Sequence, residues 1–164
     1  MTDIDTRSLR DACGAFATGV TVISTRSAEG DHGMTANAFM SVSLDPPLIS
    51  ISLDRKCKML ERVREAGRYA VNILSSDMQP IALHFAGKHD PAFADIFEER
   101  HGFPVLGGAS AFLLTEVVQE IEAGDHSLFI GRVRHLERDP AASPLLFCGG
   151  QFGELAPASM ETRP

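Results

Sequence analysis

The chain has 164 residues, of which 44% are hydrophobic and 23% charged, with a formal net charge of −7. That length builds one domain with a true core, and the acidic balance excludes a nonspecific nucleic-acid binder, which needs a basic surface. No run of about 18 apolar residues is present to cross a membrane, and the acidic start Met1-Thr2-Asp3-Ile4-Asp5 lacks the apolar stretch of a secretory signal.

Thr6 to Ala17 reads as an amphipathic helix, with Leu9, Ala12, Cys13 and Phe16 at helical spacing and Asp5 or Thr6 as its cap. Val20 to Thr25 is β-branched almost throughout and reads as a strand, followed by turn residues Ala28-Glu29-Gly30-Asp31. The next segment, Gly33 to Pro47, is rich in small and hydroxyl side chains and ends in Asp45-Pro46-Pro47. Leu48 to Leu53 alternates, with Ile49, Ile51 and Leu53 on one face and Ser50 and Ser52 on the other. It runs into the cationic turn Asp54-Arg55-Lys56-Cys57-Lys58.

Met59 to Glu65 predicts a short helix closed by Gly67, and Tyr69 to Leu74 a strand. Met78 to Phe85 and Ala92 to Arg100 are read as helical, separated by Ala86-Gly87-Lys88-His89-Asp90-Pro91. Two longer strands, about Phe112 to Ala123 and His126 to Glu137, meet at a tight Gly124-Asp125 turn of type I′ character. A short strand near Leu145 to Cys148 leads into Gly149-Gly150-Gln151-Phe152-Gly153, and the chain ends in a frayed tail from Ala156 to Pro164. With no repeat or linker, the whole of 1–164 is expected to be one mainly β domain, a closed antiparallel barrel with peripheral helices.

Cys13, Cys57 and Cys148 are odd in number and far apart, which argues against a disulfide framework and for a reducing cytoplasm. The histidines show no HExxH, and His84 and His89 are five apart, off a common helical face, so no metal is expected.

Where small residues let a ligand approach the backbone, Gly33 to Ser43 can form a platform for a flat ring, or simply a closely packed strand pair. A polar barrel wall ending in positive charge beside it suits a ring with a phosphate tail, the shape of a flavin. Arg55, Lys56 and Lys58 are either a phosphate-binding turn or a solvated charge cluster. His126, at the start of a buried strand, either rims a pocket or merely follows a turn. Phe85-Ala86-Gly87-Lys88 is either a glycine helix cap or a close-approach turn with Lys88 reaching an anion. No GxGxxG or P-loop occurs, so a nicotinamide cofactor must bind by a non-Rossmann route.

Taken in order, these segments resemble the short flavin reductase family, the reductase components of two-component flavin-dependent monooxygenases. The matching blocks are Phe16 to Val22, Gly33 to Phe39, Ser41 to Leu48, Leu53-Asp54-Arg55, Ala66 to Asn72, Phe85 to Lys88 and Ala123 to His126, spanning about residues 9–153. The resemblance implies a homodimeric FMN-binding split barrel that uses NADH, or alternatively NADPH, to reduce FMN or FAD for a partner oxygenase. It implies that Thr35, Ala36, Asn37 and Ala38 line the flavin ring with Ser41 nearby, and that Ser52, Arg55, Lys56 and Cys57 face the phosphate. Phe85, Ala86, Gly87 and Lys88 would close over the flavin, and His126 would flank the nicotinamide, held by Gly124 and Asp125. Two departures stand out: Cys57 where the family often has Ser, and Phe152 where it often has Tyr. The remaining readings are a flavin-binding electron carrier and a non-catalytic split-barrel module for another flat ligand such as haem.

Overall fold

A computed structural model describes residues 3–156. The chain opens with helix α1 (Thr6–Gly14), capped by the Asp5 carboxylate, which accepts from the amides of Arg7 and Ser8 at 3.0 Å. The helix stops three residues short of the expected Ala17, and none of its residues is buried. Strands β1 (Thr18–Gly19), β2 (Thr21–Ser27), β3 (Gly30–Ala36), β4 (Phe39–Leu44) and β5 (Pro47–Asp54) follow. Helix α2 (Lys58–Ala66) ends on Gly67, whose φ of +64° is the left-handed conformation that only glycine adopts without strain.

Strand β6 (Arg68–Ile73) and helix α3 (Gln79–Phe85) come next, then β7 (Phe97–Arg100) and β8 (Phe103–Leu106). The expected helix over 92–100 is therefore wrong. Only Pro91–Phe93 forms a 3₁₀ turn, and Phe97 to Arg100 pairs as an antiparallel hairpin with Phe103 to Leu106. The deciding feature is His101-Gly102, with φ of +50° and +79°, a two-residue turn that folds the charged strand Phe-Glu-Glu-Arg back on its fully buried partner. Tertiary pairing overrides the weak strand propensity of glutamate there.

Strands β9 (Ala111–Ala123), β10 (His126–Arg138), β11 (Leu146–Cys148) and β12 (Gln151–Gly153) complete the chain. Between β9 and β10, Gly124 alone has positive φ (+62°), the pattern of a type II′ turn rather than the expected type I′. The frayed tail expected over 156–164 lies outside the described residues apart from Ala156.

Seven strands form one sheet in the order β3-β2-β6-β9-β10-β5-β4, all antiparallel. The sheet curls without closing, since β3 and β4 are its two unpaired edges. This is the split barrel that the family resemblance implies, rather than the closed one read from the strand pattern alone. Asn37-Ala38 carries the chain across the seam between them. Inside, Ile49, Ile51 and Leu53 meet Phe129, Tyr69, Val71 and Ile23, as the alternation of β5 requires. Each such fully buried side chain contributes roughly 1.5–3 kcal/mol of transfer free energy. A second cluster, Val20, Val22, Leu74, Met78, Ala82, Leu106 and Leu145, seats α3 and the β7–β8 hairpin.

Asn72 pins this second layer. Its buried amide donates to Val22 O and Ser24 Oγ, and its carbonyl accepts from the Leu106 amide, each at 2.9 Å. A motif residue of the family resemblance is thus a structural staple that joins β6, β2 and β8.

Candidate functional site

The seam collects the small-residue segment. Thr35 and Ala36 end β3, and Asn37 and Ala38 lie exposed between the two edge strands. Two carbonyls of this crossing are engaged: Asn37 O accepts from the Phe39 amide at 2.9 Å and Ala38 O from the Ser52 amide at 3.1 Å. The amides of Asn37 and Ala38 have no acceptor among the described residues, so two adjacent donors remain for a ligand. The hydroxyls beside them serve the scaffold instead. Thr21 donates to Ala36 O and Thr35 to Ala82 O, both at 2.6 Å, which fixes the platform to β2 and to α3. The Thr35 hydroxyl proton is thereby taken and does not remain for a ligand.

A cleft of about 160 Å³ opens here, lined by Val20, Thr35, Ala36, Asn37, Ala86, Phe147 and Phe152. It is smaller than the ~300–1,000 Å³ of an ordinary ligand pocket. Asn37 also borders a second hollow of about 380 Å³ formed with Phe16, Thr18, Thr21, Phe39 and Ile73. The two hollows flank one crossing of the chain. Phe152 stacks edge-on against Phe147 at 5.3 Å across the β11–β12 hairpin, so an apolar ring stands where the family often has a phenol.

The lid segment is a regular helix ending. Lys88 N donates to Leu83 O at 3.0 Å and Gly87 N to His84 O at 3.2 Å, the paired bonds of a Schellman cap, with Gly87 at φ +98°. The cap turns Ala86 into the cleft and leaves Lys88 exposed. Phe85 points elsewhere: its ring lies against Gly33 and Phe97.

Ser52 begins the other half of the site. Through its amide it is tied to Ala38, and two residues on, Asp54 stands opposite His126 across β5 and β10. The cationic turn is internally satisfied. Arg55 N donates to Asp125 O at 3.0 Å, Lys56 N to Asp54 Oδ1 at 2.8 Å and Cys57 N to Asp54 O at 3.0 Å. The turn amides at 55–57 are therefore spent, and for a phosphate the side chains of Arg55, Lys56 and Lys58 are what remain. Arg55 stands 3.6 Å from Glu122, an exposed pair of little strength. Cys57 occupies the N-cap of α2 without a side-chain cap bond and is half-buried against the main core.

His126 is half-exposed, and its Nδ1 lies 2.7 Å from Asp125 Oδ1. That bond is the first cause holding the Asp125 carboxyl below its ordinary range. The structure thus brings Thr35, Ala36, Asn37, Ala86 and Phe152 around one cleft. It joins Ser52, Arg55, Lys56 and Cys57 to Gly124, Asp125 and His126 in a second group. Ser41 is exposed on β4 opposite Ile49, outside the cleft lining. Thr21, Val20 and Phe147 were missed, because a β-branched or apolar residue in a strand carries no signal of the cleft it will border.

The flavin reductase like domain model matches residues 13–156. The chain belongs to this family. It is 47% identical over 151 residues to an NADH-dependent flavin reductase of a Rhodococcus species, covering 90% of this chain and 85% of that one. The reductase component of 4-hydroxyphenylacetate 3-monooxygenase from Thermus thermophilus is 34% identical over 140 residues, 85% of this chain and 90% of that protein. Among solved structures, the flavin reductase PheA2 in its native state superposes with a TM-score of 0.88 at 48% identity, over 94% of this chain and 100% of that chain. No helix among the described residues is long and apolar enough to cross a membrane.

Proposed function

We propose that the protein is an NADH-dependent flavin reductase that hands reduced FMN or FAD to a partner flavin-dependent monooxygenase, with NADPH as the alternative donor. The observation that carries this is the pair of unspent amides at Asn37 and Ala38 beside an apolar cleft. A flat heterocycle with an acceptor edge fits such a cradle, whereas a haem finds no axial ligand among the residues lining it. When both are bound, the nicotinamide supplies a hydride to the flavin ring, and the hard chemistry is theirs.

The chain's own work is orientation and charge. Thr35, Ala36, Asn37 and Ala38 hold the ring, with the two amides donating toward the edge where negative charge develops. Ser41 flanks them. Arg55 and Lys56 take the phosphate end through their side chains, with Ser52 beside them and Cys57 anchoring the turn against the core. Ala86, Gly87 and Lys88 at the end of α3 limit water over the ring, Phe85 anchors that cap against Gly33 and Phe97, and Phe152 packs the ring's apolar side. His126 orients the nicotinamide, with Gly124 and Asp125 fixing the imidazole.

A second protomer completes this reading. Exposed Met40 on β4 and Ile121 on β9 border the outer face that carries Leu128 and Ile130, an apolar surface suited to a homodimer. Light scattering after size exclusion measures that state. Three cysteines without a disulfide fit a cytoplasmic protein.

The test is oxidation of NADH and NADPH with FMN, FAD or no flavin, read by loss of reduced-nicotinamide absorbance. Turnover that saturates with added flavin is expected. Tight flavin binding without any NADH or NADPH oxidation would instead make the protein an electron carrier. His126→Ala is expected to lose NADH oxidation while keeping flavin binding.

A further inference from the structure

On the far side of Phe85 from the cleft lies a groove of about 440 Å³, running along β3 from Asp31 to Gly33 and bounded by the end of α3 and the start of β7. It is the roomiest of the hollows described, and nothing in the flavin-ring reading uses it. Its walls are aromatic. The His84 ring meets Phe93 at 5.7 Å and His89 at 5.4 Å, both nearly perpendicular, and Phe85 meets Phe97 at 5.2 Å. The wall is held in place rather than loosely gathered, because His84 Nδ1 accepts from the Asp90 amide at 2.9 Å.

The groove and the cleft are neighbours along the chain. Phe85 borders the first and Ala86 the second, while Gly33 and Thr35, two residues apart on β3, do the same from below. Two cations also act on His32, which lines the groove: Lys58, at the end of the cationic turn, and Arg62, itself paired with Glu29. A ligand whose ring lies in the cleft therefore has an aromatic slot beside it, with the Lys58 charge acting on its His32 wall.

We propose that this groove receives the adenosine half of FAD, so that FAD is the preferred flavin. The inference rests on the cleft holding the flavin ring. FMN, which stops at its single phosphate, leaves the slot unused. An adenine is a flat, electron-poor heterocycle that packs against aromatic edges and faces, and the exposed Asp95 carboxylate at the rim accepts from ribose hydroxyls. Asp31 does not compete for that role, since Arg26 already holds both its oxygens at 2.6 and 3.0 Å.

The test compares KM for FAD and for FMN, at saturating NADH, in the native protein, His89→Ala and Phe93→Ala. His89 is exposed, so its loss leaves the fold intact even where the half-buried Phe93 variant does not. In the native protein KM is expected to be lower for FAD. Each variant is expected to raise KM for FAD by about fivefold or more, the smaller end of what a lost base–aromatic stack costs, with KM for FMN unchanged. Equal effects on both flavins, or none on either, overturn the assignment. A rise in KM for NADH with FMN as acceptor also overturns it, by giving the slot to the adenosine of the nicotinamide dinucleotide. If the native protein reduces neither flavin, the functional reading itself fails and takes this inference with it.

Discussion

Asp125 Oδ1 accepts from His126 Nδ1 at 2.7 Å, between adjacent residues at a hairpin tip whose backbone is also tied to the cationic turn through Arg55 N and Asp125 O. Both side chains are largely in solvent, 88% and 42% exposed, so the bond adds little stability. Its value is direction. A carboxylate accepting at Nδ1 places the imidazole proton there and leaves Nε2 as the free nitrogen.

Asp125→Ala removes that acceptor and keeps the Asp125 carbonyl bond to Arg55. Steady-state kinetics are expected to show kcat/KM for NADH falling about tenfold, the loss of ring orientation rather than of the ring, with KM for flavin unchanged. An equal fall in flavin affinity would mean that the hairpin had moved as a whole. The carboxyl lies below its usual range, so its pairing is intact at neutral pH and is lost only as pH falls through that lowered value.

Gly33 was read as part of a ligand platform, and its smallness has a packing cause. A Cβ there would sit 2.6 Å from Phe85 Cε1 and 2.8 Å from Phe97 Cζ. Gly33→Ala must push two aromatic rings aside, and about 1–3 kcal/mol of destabilisation is expected from overpacking. Denaturant unfolding measures it. Because Phe85 leads directly into the Ala86-Gly87 cap, KM for flavin is expected to rise as well.

The same residue marks where the sequence was legible and where it was not. Alternation in Leu48 to Leu53, the αL glycine at 67 and the paired long strands around Gly124 are local signals, and all three stand in the structure. The β7–β8 hairpin is not local. Phe97-Glu98-Glu99-Arg100 becomes a strand because Phe103 to Leu106 is buried beneath β2 and β6 and needs a partner. The open seam was likewise invisible to periodicity, since each strand alternates the same way in a closed barrel. For the site, residue type identified Asn37 and His126, but bonding decided which donors remain. Neither the capture of the Thr35 hydroxyl by Ala82 nor the internal satisfaction of the turn amides at 55–57 can be read without knowing which segments meet.

Cys57 at the N-cap of α2 makes no side-chain bond to the first turn. Cys57→Ser supplies the missing oxygen acceptor, and helix capping of this kind is worth about 0.5–2 kcal/mol. Part of that gain is offset, because the half-buried thiol packs against the main core and a hydroxyl there is less apolar. A net rise in thermal midpoint is expected. The hydroxyl also stands in the phosphate-facing turn, so the same variant is expected to bind flavin more tightly, measurable by fluorescence quenching.

His32 carries the pH dependence of the groove. Burial first, then the Arg62 and Lys58 charges, push its imidazole below the ordinary 6.5, with Glu29 opposing. The folded protein therefore binds this proton less readily than the unfolded chain does. Stability from the neutral ring is fully present above about pH 6.5 and is lost as pH falls from there toward the lowered folded value. The side chain is half-buried, so the effect is a modest slope in the thermal midpoint rather than a collapse. His32→Asn removes the titrating group, and its midpoint is expected to fall less than the native one between neutral pH and the acid side of that window. Parallel curves would show that another group governs this range.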